Sequence, residues 1–267
     1  MKIFDFMQKG WLKRKRSNGK DTMLVPVDDS IQSLQVGQEG RLIENLVDIR
    51  LVTLREPYSL SAEQYRILCT RILQLVQDRS SYTLAISSAI KAEGKSFTSV
   101  NLAIAMAKDF DEKVLLIEGD LKNPNLHEYI NRSPGFGLSD VLEGRINFDT
   151  ASIHLFDGRL SVLLAGKAMG NPSRLLSSSK MQELLHALRG QFKYIIIDTP
   201  PIIPMVDMNI YSALVDGILL VIRAGKTPRS IIKKALSGIP SEKVIGAVLN
   251  DVDVNYSRYY YGAKYSY

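Results

Sequence analysis

The segment AIKAEGKS occupies residues 89–96, directly after a short apolar run. Apart from alanine at its first position, it has the spacing of a P-loop, in which backbone N–H groups and a helix start bind phosphates. In such a loop Gly94 allows close backbone approach, Lys95 neutralises the β- and γ-phosphates, and the Ser96 hydroxyl can bind Mg²⁺. We therefore predict a nucleotide site comprising Ala89, Lys91, Ala92, Glu93, Gly94, Lys95, Ser96 and Phe97.

Carboxylates end two further apolar runs. Asp198 closes the run at 194–197, while Glu118 and Asp120 follow the run at 114–117. Because ligands bind at the carboxyl ends of strands in open α/β sheets, we expect these side chains near the phosphates. Asp198 can hold Mg²⁺ directly or through water. The i, i+2 spacing places Glu118 and Asp120 on one side of an extended backbone.

These residues need a scaffold, and the sequence supplies apolar runs that alternate with helix-like segments. The predicted strands are 83–87, 114–117, 160–164, 194–197, 217–222 and 244–249, and the predicted helices include 95–108, 180–188 and 228–236. A capping box at Ser61 and Gln64 indicates another helix before the first strand. The pattern predicts an α/β fold of the P-loop NTPase type, a doubly wound, mainly parallel sheet with helices on both faces.

Composition narrows the class of protein. The chain of 267 residues is 45% hydrophobic and 23% charged, as expected of a folded domain. A single cysteine, Cys69, excludes an internal disulfide framework and a cysteine-based zinc site. The net charge of +6 resides entirely in residues 1–20, which leaves the remainder neutral. We therefore expect no nucleic acid partner.

Three parts are predicted along the chain. Residues 1–60 form a basic, weakly structured extension, residues 61–251 the P-loop domain, and residues 252–267 a flexible tail. The basic opening is either a helix on an anionic membrane surface or a solvated tail. Six of the 12 tyrosines lie in the tail without a core-forming period, at Tyr256, Tyr259, Tyr260, Tyr261, Tyr265 and Tyr267.

With these motifs in order, residues 57–267 resemble the bacterial tyrosine kinases of exopolysaccharide and capsule assembly. These are P-loop proteins related to the ParA and MinD ATPases. The segments at 89–96, 114–122 and 195–201 are similar to the family's Walker A, Walker A′ and Walker B motifs. Shorter similarities occur at 137–144, 171–172, Asp207 and 221–225. The tyrosine-rich tail resembles the family's autophosphorylation cluster.

The resemblance implies an ATP-dependent protein-tyrosine autokinase that uses ATP and Mg²⁺ and phosphorylates the tail tyrosines. Carried onto matching positions, it implies catalytic roles for Lys95, Glu118, Asp120 and Asp198, with Ser96, Asp120 and Asp198 as magnesium ligands. It also implies a homo-oligomer, a cognate tyrosine phosphatase, and a membrane-anchored activator of the polysaccharide co-polymerase type. The expected location is cytoplasmic, peripheral to the inner face of the cell membrane, with the kinase as a separate polypeptide.

Three positions depart from the family's pattern. Glu118 stands where aspartate is usual and reaches about one methylene further. Lys122 replaces an arginine and lacks its bidentate fork. The oligomerisation motif Glu-x-x-Arg-x-x-Arg begins with Glu63 and Arg66, but Cys69 occupies its third position. The changes affect, in turn, the carboxylate expected to act as a base, the recognition of anions by the basic residue, and the formation of a ring-like oligomer.

Two alternative functions share the same motifs. A ParA/MinD-type switch ATPase would position cargo without phosphorylating protein. Most of that class carry a signature lysine five residues before the P-loop lysine, where this chain has Ile90, with Lys91 offset by one. A nucleotide-gated scaffold without turnover is the second alternative, suggested by Glu118 and Cys69. The tail can then be a sticky aromatic terminus rather than an acceptor.

Overall fold

A computed structural model of the protein describes residue 48 and residues 50–204 and 207–252. The basic segment 1–20 and the six tail tyrosines, predicted as membrane contact and phosphoacceptors, lie outside the described residues. Within the described part, no helix is long and apolar enough to cross a membrane.

The described elements alternate as the sequence predicts. Helices α1 (Val52–Arg55) and α2 (Leu60–Val76) precede the first strand. The elements that follow are β1 (Tyr82–Ser88), α3 (Lys95–Asp109), β2 (Val114–Glu118), α4 (Leu126–Tyr129), α5 (Leu138–Leu142), α6 (Phe148–Ala151), β3 (Ile153–Leu155), β4 (Leu160–Leu163), α7 (Pro172–Leu176), α8 (Ser179–Arg189), β5 (Tyr194–Asp198), α9 (Asp207–Leu214), β6 (Gly217–Arg223), α10 (Arg229–Leu236), a 3₁₀ turn (Ser241–Lys243) and β7 (Val244–Asn250).

The strands form one seven-stranded sheet in the order β3-β4-β2-β5-β1-β6-β7. All neighbouring pairs are parallel except β3 with β4, which is antiparallel. This confirms the predicted mainly parallel, doubly wound fold. The edge strand β3 was not predicted, because its three residues are too few to show a period. Parallel order brings the carboxyl ends of β1, β2 and β5 to one edge of the sheet.

Alternate residues of each central strand pack in hydrophobic cores on opposite faces of the sheet, which explains why these strands are continuous apolar runs. On β2, Leu116 belongs to the core under α2 and α3, whereas Leu115 and Ile117 belong to the core under α8, α9 and α10. Strands covered on both faces are apolar at every position rather than alternating. Helices on both faces are therefore confirmed.

Helix α2 begins earlier than its predicted cap. The Ser59 hydroxyl, rather than Ser61, accepts a hydrogen bond from the Ala62 N–H at 3.1 Å. Its buried stripe includes Tyr65, Cys69 and Ile72, whereas Leu75 is 55% exposed. Cys69 is fully buried and is thus a small side chain of the core.

Packed structure also occurs upstream of residue 61. Leu51 is fully buried, and the Thr53 N–H and hydroxyl both donate to the Asn101 Oδ1 on α3, at 3.2 and 3.1 Å. The Asn101 amide in turn donates to the Arg50 carbonyl at 3.0 Å. The predicted extension at 1–60 therefore ends in a segment that docks on α3.

The partial oligomerisation motif makes contacts inside the chain. The Arg66 guanidinium donates to Glu63 Oε2 and Asp109 Oδ2, each at 3.0 Å, and to the Pro57 carbonyl at 2.6 Å. It thereby ties α2 to the end of α3. The predicted homo-oligomer stays a prediction.

Candidate active site

The P-loop joins the central strand β1 to helix α3, as its motif predicts. Gly94 lies directly before the helix with φ +92°, in the left-handed region. A Cβ atom there would lie 2.0 Å from the Asn250 Nδ2 atom on β7. Only glycine satisfies both the torsion angle and the close approach. The first-turn N–H groups of α3 have no acceptor within the helix and are free to bind phosphate.

The buried Glu93 side chain holds this loop in shape. Its carboxylate accepts hydrogen bonds from the Ile90 N–H at 3.0 Å and from the Thr227 hydroxyl beyond β6. The Asn250 amide donates to the Glu93 carbonyl at 3.0 Å. Sequence analysis included Glu93 only as part of the loop and missed Asn250. The one available signal for Asn250 was a polar residue closing the apolar run of β7.

Lys95 lies between two carboxylates at the base of the loop. Its Nζ atom is 3.3 Å from Asp120 Oδ2 and 3.8 Å from Asp198 Oδ2. The Ser96 hydroxyl donates to Asp198 Oδ2 at 2.6 Å, and the Ser99 hydroxyl donates to Asp198 Oδ1 at 3.2 Å. The structure therefore brings four of the predicted residues together. Ser99, one turn after Ser96 on α3, was missed.

Electrostatics within this cluster favour a divalent cation. Burial raises the pKa of Asp198 to about 6, although the Lys95 ammonium and the Ser96 hydrogen bond act to lower it. Asp120 is also buried. The single ammonium of Lys95 therefore lies beside two buried carboxylates, those of Asp120 and Asp198. The excess negative charge and the Ser96 hydroxyl suit Mg²⁺, which prefers oxygen ligands. Among the described residues no group of three or more His, Cys, Asp or Glu could hold a metal alone. Mg²⁺ commonly binds through one or two carboxylates with substrate phosphates and water, so the residues fit that ion.

Glu118 lies at the end of β2, in register with Asp198 on β5, but has different partners from Asp120. Its Oε1 accepts from the N–H groups of Asn125 and Leu126 at 2.5 and 2.6 Å, and its Oε2 from the Ala165 N–H at 2.9 Å. Three backbone donors thus hold a carboxylate that is 1% exposed. The longer side chain joins the start of α4 and the end of β4 to the sheet.

A second network supports the loop after β2. The Lys122 ammonium is 2.7 Å from Asp207 Oδ2, whose other oxygen accepts from the Ser173 hydroxyl at 2.6 Å. The fully buried Tyr211 hydroxyl donates to the Gly119 carbonyl at 2.7 Å. These contacts fix the Asp207 side chain and position the backbone between Glu118 and Asp120.

The remaining predicted nucleotide-binding residues have mixed environments. Lys91 and Ala92 are exposed at the tip of the loop, and Ala92 has a φ of 65°. Ala89 is fully buried under the loop. The Phe97 ring packs edge-on against Tyr65 of α2, with centroids 6.2 Å apart. Phe97 therefore contributes its backbone to the first turn and its side chain to the core.

Comparison with known proteins agrees with this geometry. The CobQ/CobB/MinD/ParA nucleotide binding domain family matches residues 91–262. Tyrosine-protein kinase YwqD of Bacillus subtilis is 36% identical over 218 residues, which cover 80% of this chain and 92% of YwqD. The succinoglycan biosynthesis transport protein ExoP of Rhizobium meliloti is 31% identical over 209 residues, 76% of this chain and 26% of ExoP. The crystal structure of the chimerical protein CapA2B2 superposes with a TM-score of 0.71 and 27% identity, covering 76% of this chain and 90% of the chimera.

Proposed function

The chain belongs to the bacterial tyrosine kinases, and we propose that it transfers the γ-phosphoryl group of ATP to tyrosines of its own C-terminal segment. YwqD, named a tyrosine-protein kinase, is matched over nearly its full length. The cluster of Lys95, Asp120 and Asp198 beside the P-loop carries the proposal, because phosphoryl transfer is catalysed mainly by positioning and charge stabilisation.

We assign each residue of the site a role in binding ATP or Mg²⁺. The backbone at the start of α3 holds the phosphates, and Lys95 leaves its two carboxylate partners to contact the β- and γ-phosphate oxygens. Ser96, Asp120 and Asp198 would hold Mg²⁺. When bound, the ion would neutralise charge that develops on the phosphate oxygens. Burial of Asp198 keeps this charge interaction in a weakly screened environment.

The transfer step requires an acceptor oxygen in line with the γ-phosphorus. The tyrosine oxygen forms a bond to that phosphorus while the bond to the bridging oxygen of ADP breaks. The hydroxyl proton passes to Glu118, whose Oε2 accepts one backbone hydrogen bond and retains a further acceptor position. The products are phosphotyrosine and ADP, and no covalent enzyme intermediate forms.

The biological context follows from the relatives. ExoP is named for succinoglycan transport, and we assign this kinase to the synthesis or export of an exopolysaccharide or capsule. A membrane protein of the co-polymerase type would activate it, and a tyrosine phosphatase would reset the tail. The six basic side chains between Lys9 and Lys20 would hold the protein at the anionic inner face of the membrane, at roughly 1 kcal/mol per charge.

An autophosphorylation assay on the full chain tests the proposal. We expect phosphotyrosine in residues 253–267, mapped by mass spectrometry after incubation with ATP and Mg²⁺. Lys95→Met protein should give no signal, because it lacks the ammonium that contacts the phosphates. ATP hydrolysis without phosphotyrosine would instead indicate a switch ATPase, and binding without turnover would indicate a scaffold.

A further inference from the structure

Residues 50–55, which precede the P-loop domain, contact both helix α3 and helix α4. Leu51 and Thr53 are buried, and the Asn101 amide on α3 donates to the Arg50 carbonyl at 3.0 Å. The backbone of this segment is therefore fixed on the helix that follows the P-loop. From this fixed backbone, the Arg50 side chain extends to α4.

The Arg50 guanidinium packs on the tyrosine that ends α4. Its Cζ atom lies 3.9 Å from the centroid of the Tyr129 ring, within the range of a cation–π interaction. Tyr129 is 8% exposed and the Arg50 side chain 39%, so the guanidinium lies on the outer side of the ring. Asp48 fixes the guanidinium there, because the Arg50 Nε donates to both of its carboxylate oxygens at 2.9 Å.

Helix α4 depends on contacts of this kind for its position. It comprises the four residues Leu126–Tyr129, about one turn, which is too short to be stable without tertiary contacts. At its first end, the N–H groups of Asn125 and Leu126 donate to Glu118 at 2.5 and 2.6 Å. At its last end, Tyr129 lies under Arg50. One turn of helix therefore connects the Arg50 guanidinium to the Glu118 carboxylate.

Resting on the proposed kinase function, we infer that Arg50 is a positioning residue for the carboxylate of Glu118. Arg50 holds the ring of Tyr129, the ring fixes α4, and the first N–H groups of α4 fix Glu118. A catalytic group misplaced by about 1 Å can slow a reaction by a factor of about 100, so a smaller shift of α4 should slow it about tenfold. Residues 1–47 lead into this segment, and the contact thereby links the N-terminal extension to the site.

Substitution of the Arg50 side chain isolates this contact. Asn101 binds the Arg50 carbonyl, which every side-chain variant retains, so the segment stays docked on α3. Arg50→Gln removes the positive charge over the ring, and Arg50→Lys keeps it. Arg132→Gln is the matched control, because Arg132 is exposed and follows α4 by three residues. Its side chain makes no ion pair or ring contact with the part of the chain that the structure describes.

The full-length proteins are compared by the initial rate of tyrosine phosphorylation at saturating ATP, by the KM for ATP and by thermal unfolding. We expect Arg50→Gln to lower the saturated rate about five- to tenfold, with the KM for ATP unchanged because the P-loop is not touched. Arg50→Lys should regain most of the wild-type rate, and Arg132→Gln should match the wild type. A merely structural role of Arg50 would instead lower the Tm and leave the saturated rate of the folded protein unchanged.

A double-mutant cycle tests the route through Tyr129. Tyr129→Phe keeps the ring and should keep the wild-type rate, whereas Tyr129→Leu should lower it. If Arg50 acts through this ring, the double variant Arg50→Gln/Tyr129→Leu loses no more activity than the more damaging single variant. Additive losses, or a wild-type saturated rate in Arg50→Gln, would overturn the inference. Absence of phosphotyrosine in the wild-type protein would instead refute the kinase function itself, so the two failures are distinguishable.

Discussion

Replacing Glu118 by glutamine separates its backbone contacts from any part in catalysis. Glu118→Gln keeps the length of the side chain but converts one oxygen into an NH₂ donor. Keeping Oε1 toward Asn125 and Leu126 turns that NH₂ toward the Ala165 N–H, now 2.9 Å from an oxygen. Two donors would then face each other inside a region where Glu118 is 1% exposed.

The size of the effect follows from these contacts. Hydrogen bonds to a charged group contribute about 1.5–3 kcal/mol, and a buried donor without a partner costs about 1–3 kcal/mol. We therefore expect Glu118→Gln to lower the free energy of unfolding by about 2–3 kcal/mol. For a domain of this size, that corresponds to a fall in Tm of about 4–12 °C.

Thermal and urea unfolding of the nucleotide-free protein measure this loss. Glu128→Gln is the control, since Glu128 lies on the same helix α4 with a side chain 56% exposed and a 3.7 Å pair to Arg50. It should change stability by less than about 0.5 kcal/mol. An unchanged Tm for Glu118→Gln, together with lost kinase activity, would refute the structural reasoning and leave catalysis as its sole role.

Three further outcomes are expected. Because the folded pKa of Asp198, about 6, lies above its ordinary 3.8, its contribution to stability is full below pH 4 and is lost as pH rises through 6. Metal-free Asp198→Asn should therefore gain about 2 kcal/mol over the wild type between pH 4.5 and 7.5, measured by urea unfolding, and an equal difference at both pH values would contradict this. Gly94→Ala should weaken ATP binding at least tenfold by calorimetry, because its Cβ meets Asn250, and wild-type affinity would show that the loop adapts. Burial raises the pKa of the Cys69 thiol, so Ellman's reagent should react at least a hundredfold more slowly with native than with urea-unfolded protein, and equal rates would place the thiol at the surface.

Much of the fold could be predicted because its signals are local. The P-loop spacing, the apolar runs and the helical segment after Lys95 follow from neighbouring residues, and parallel topology then places Asp120 and Asp198 near the loop. The cap of α2 was predicted two residues late, since Ser59 and Ser61 look equivalent until the helix is packed. The strand β3 gave too few residues for a period.

Contacts between residues that lie far apart in the sequence could not be predicted from such local patterns. Asn250 donates a hydrogen bond to the carbonyl of Glu93, which lies 157 positions earlier in the chain. Ser99 donates a hydrogen bond to Asp198, which lies 99 positions later. Neither residue type is unusual where it occurs. Their roles arise only when the sheet order places β5 beside β1 and β7 two strands away on its other side.

The sequence by itself determined the phosphate-binding chemistry and the parallel sheet, and it predicts the acceptor tyrosines, because residue type and short-range spacing suffice for each. Tertiary structure alone decided what Glu118 does. Whether a carboxylate at the end of β2 is free or held depends on N–H groups of residues 125, 126 and 165, which the folding of α4 and β4 places around it. Hydrogen-bond partners are a property of three-dimensional neighbours, and no spacing along the chain specifies them.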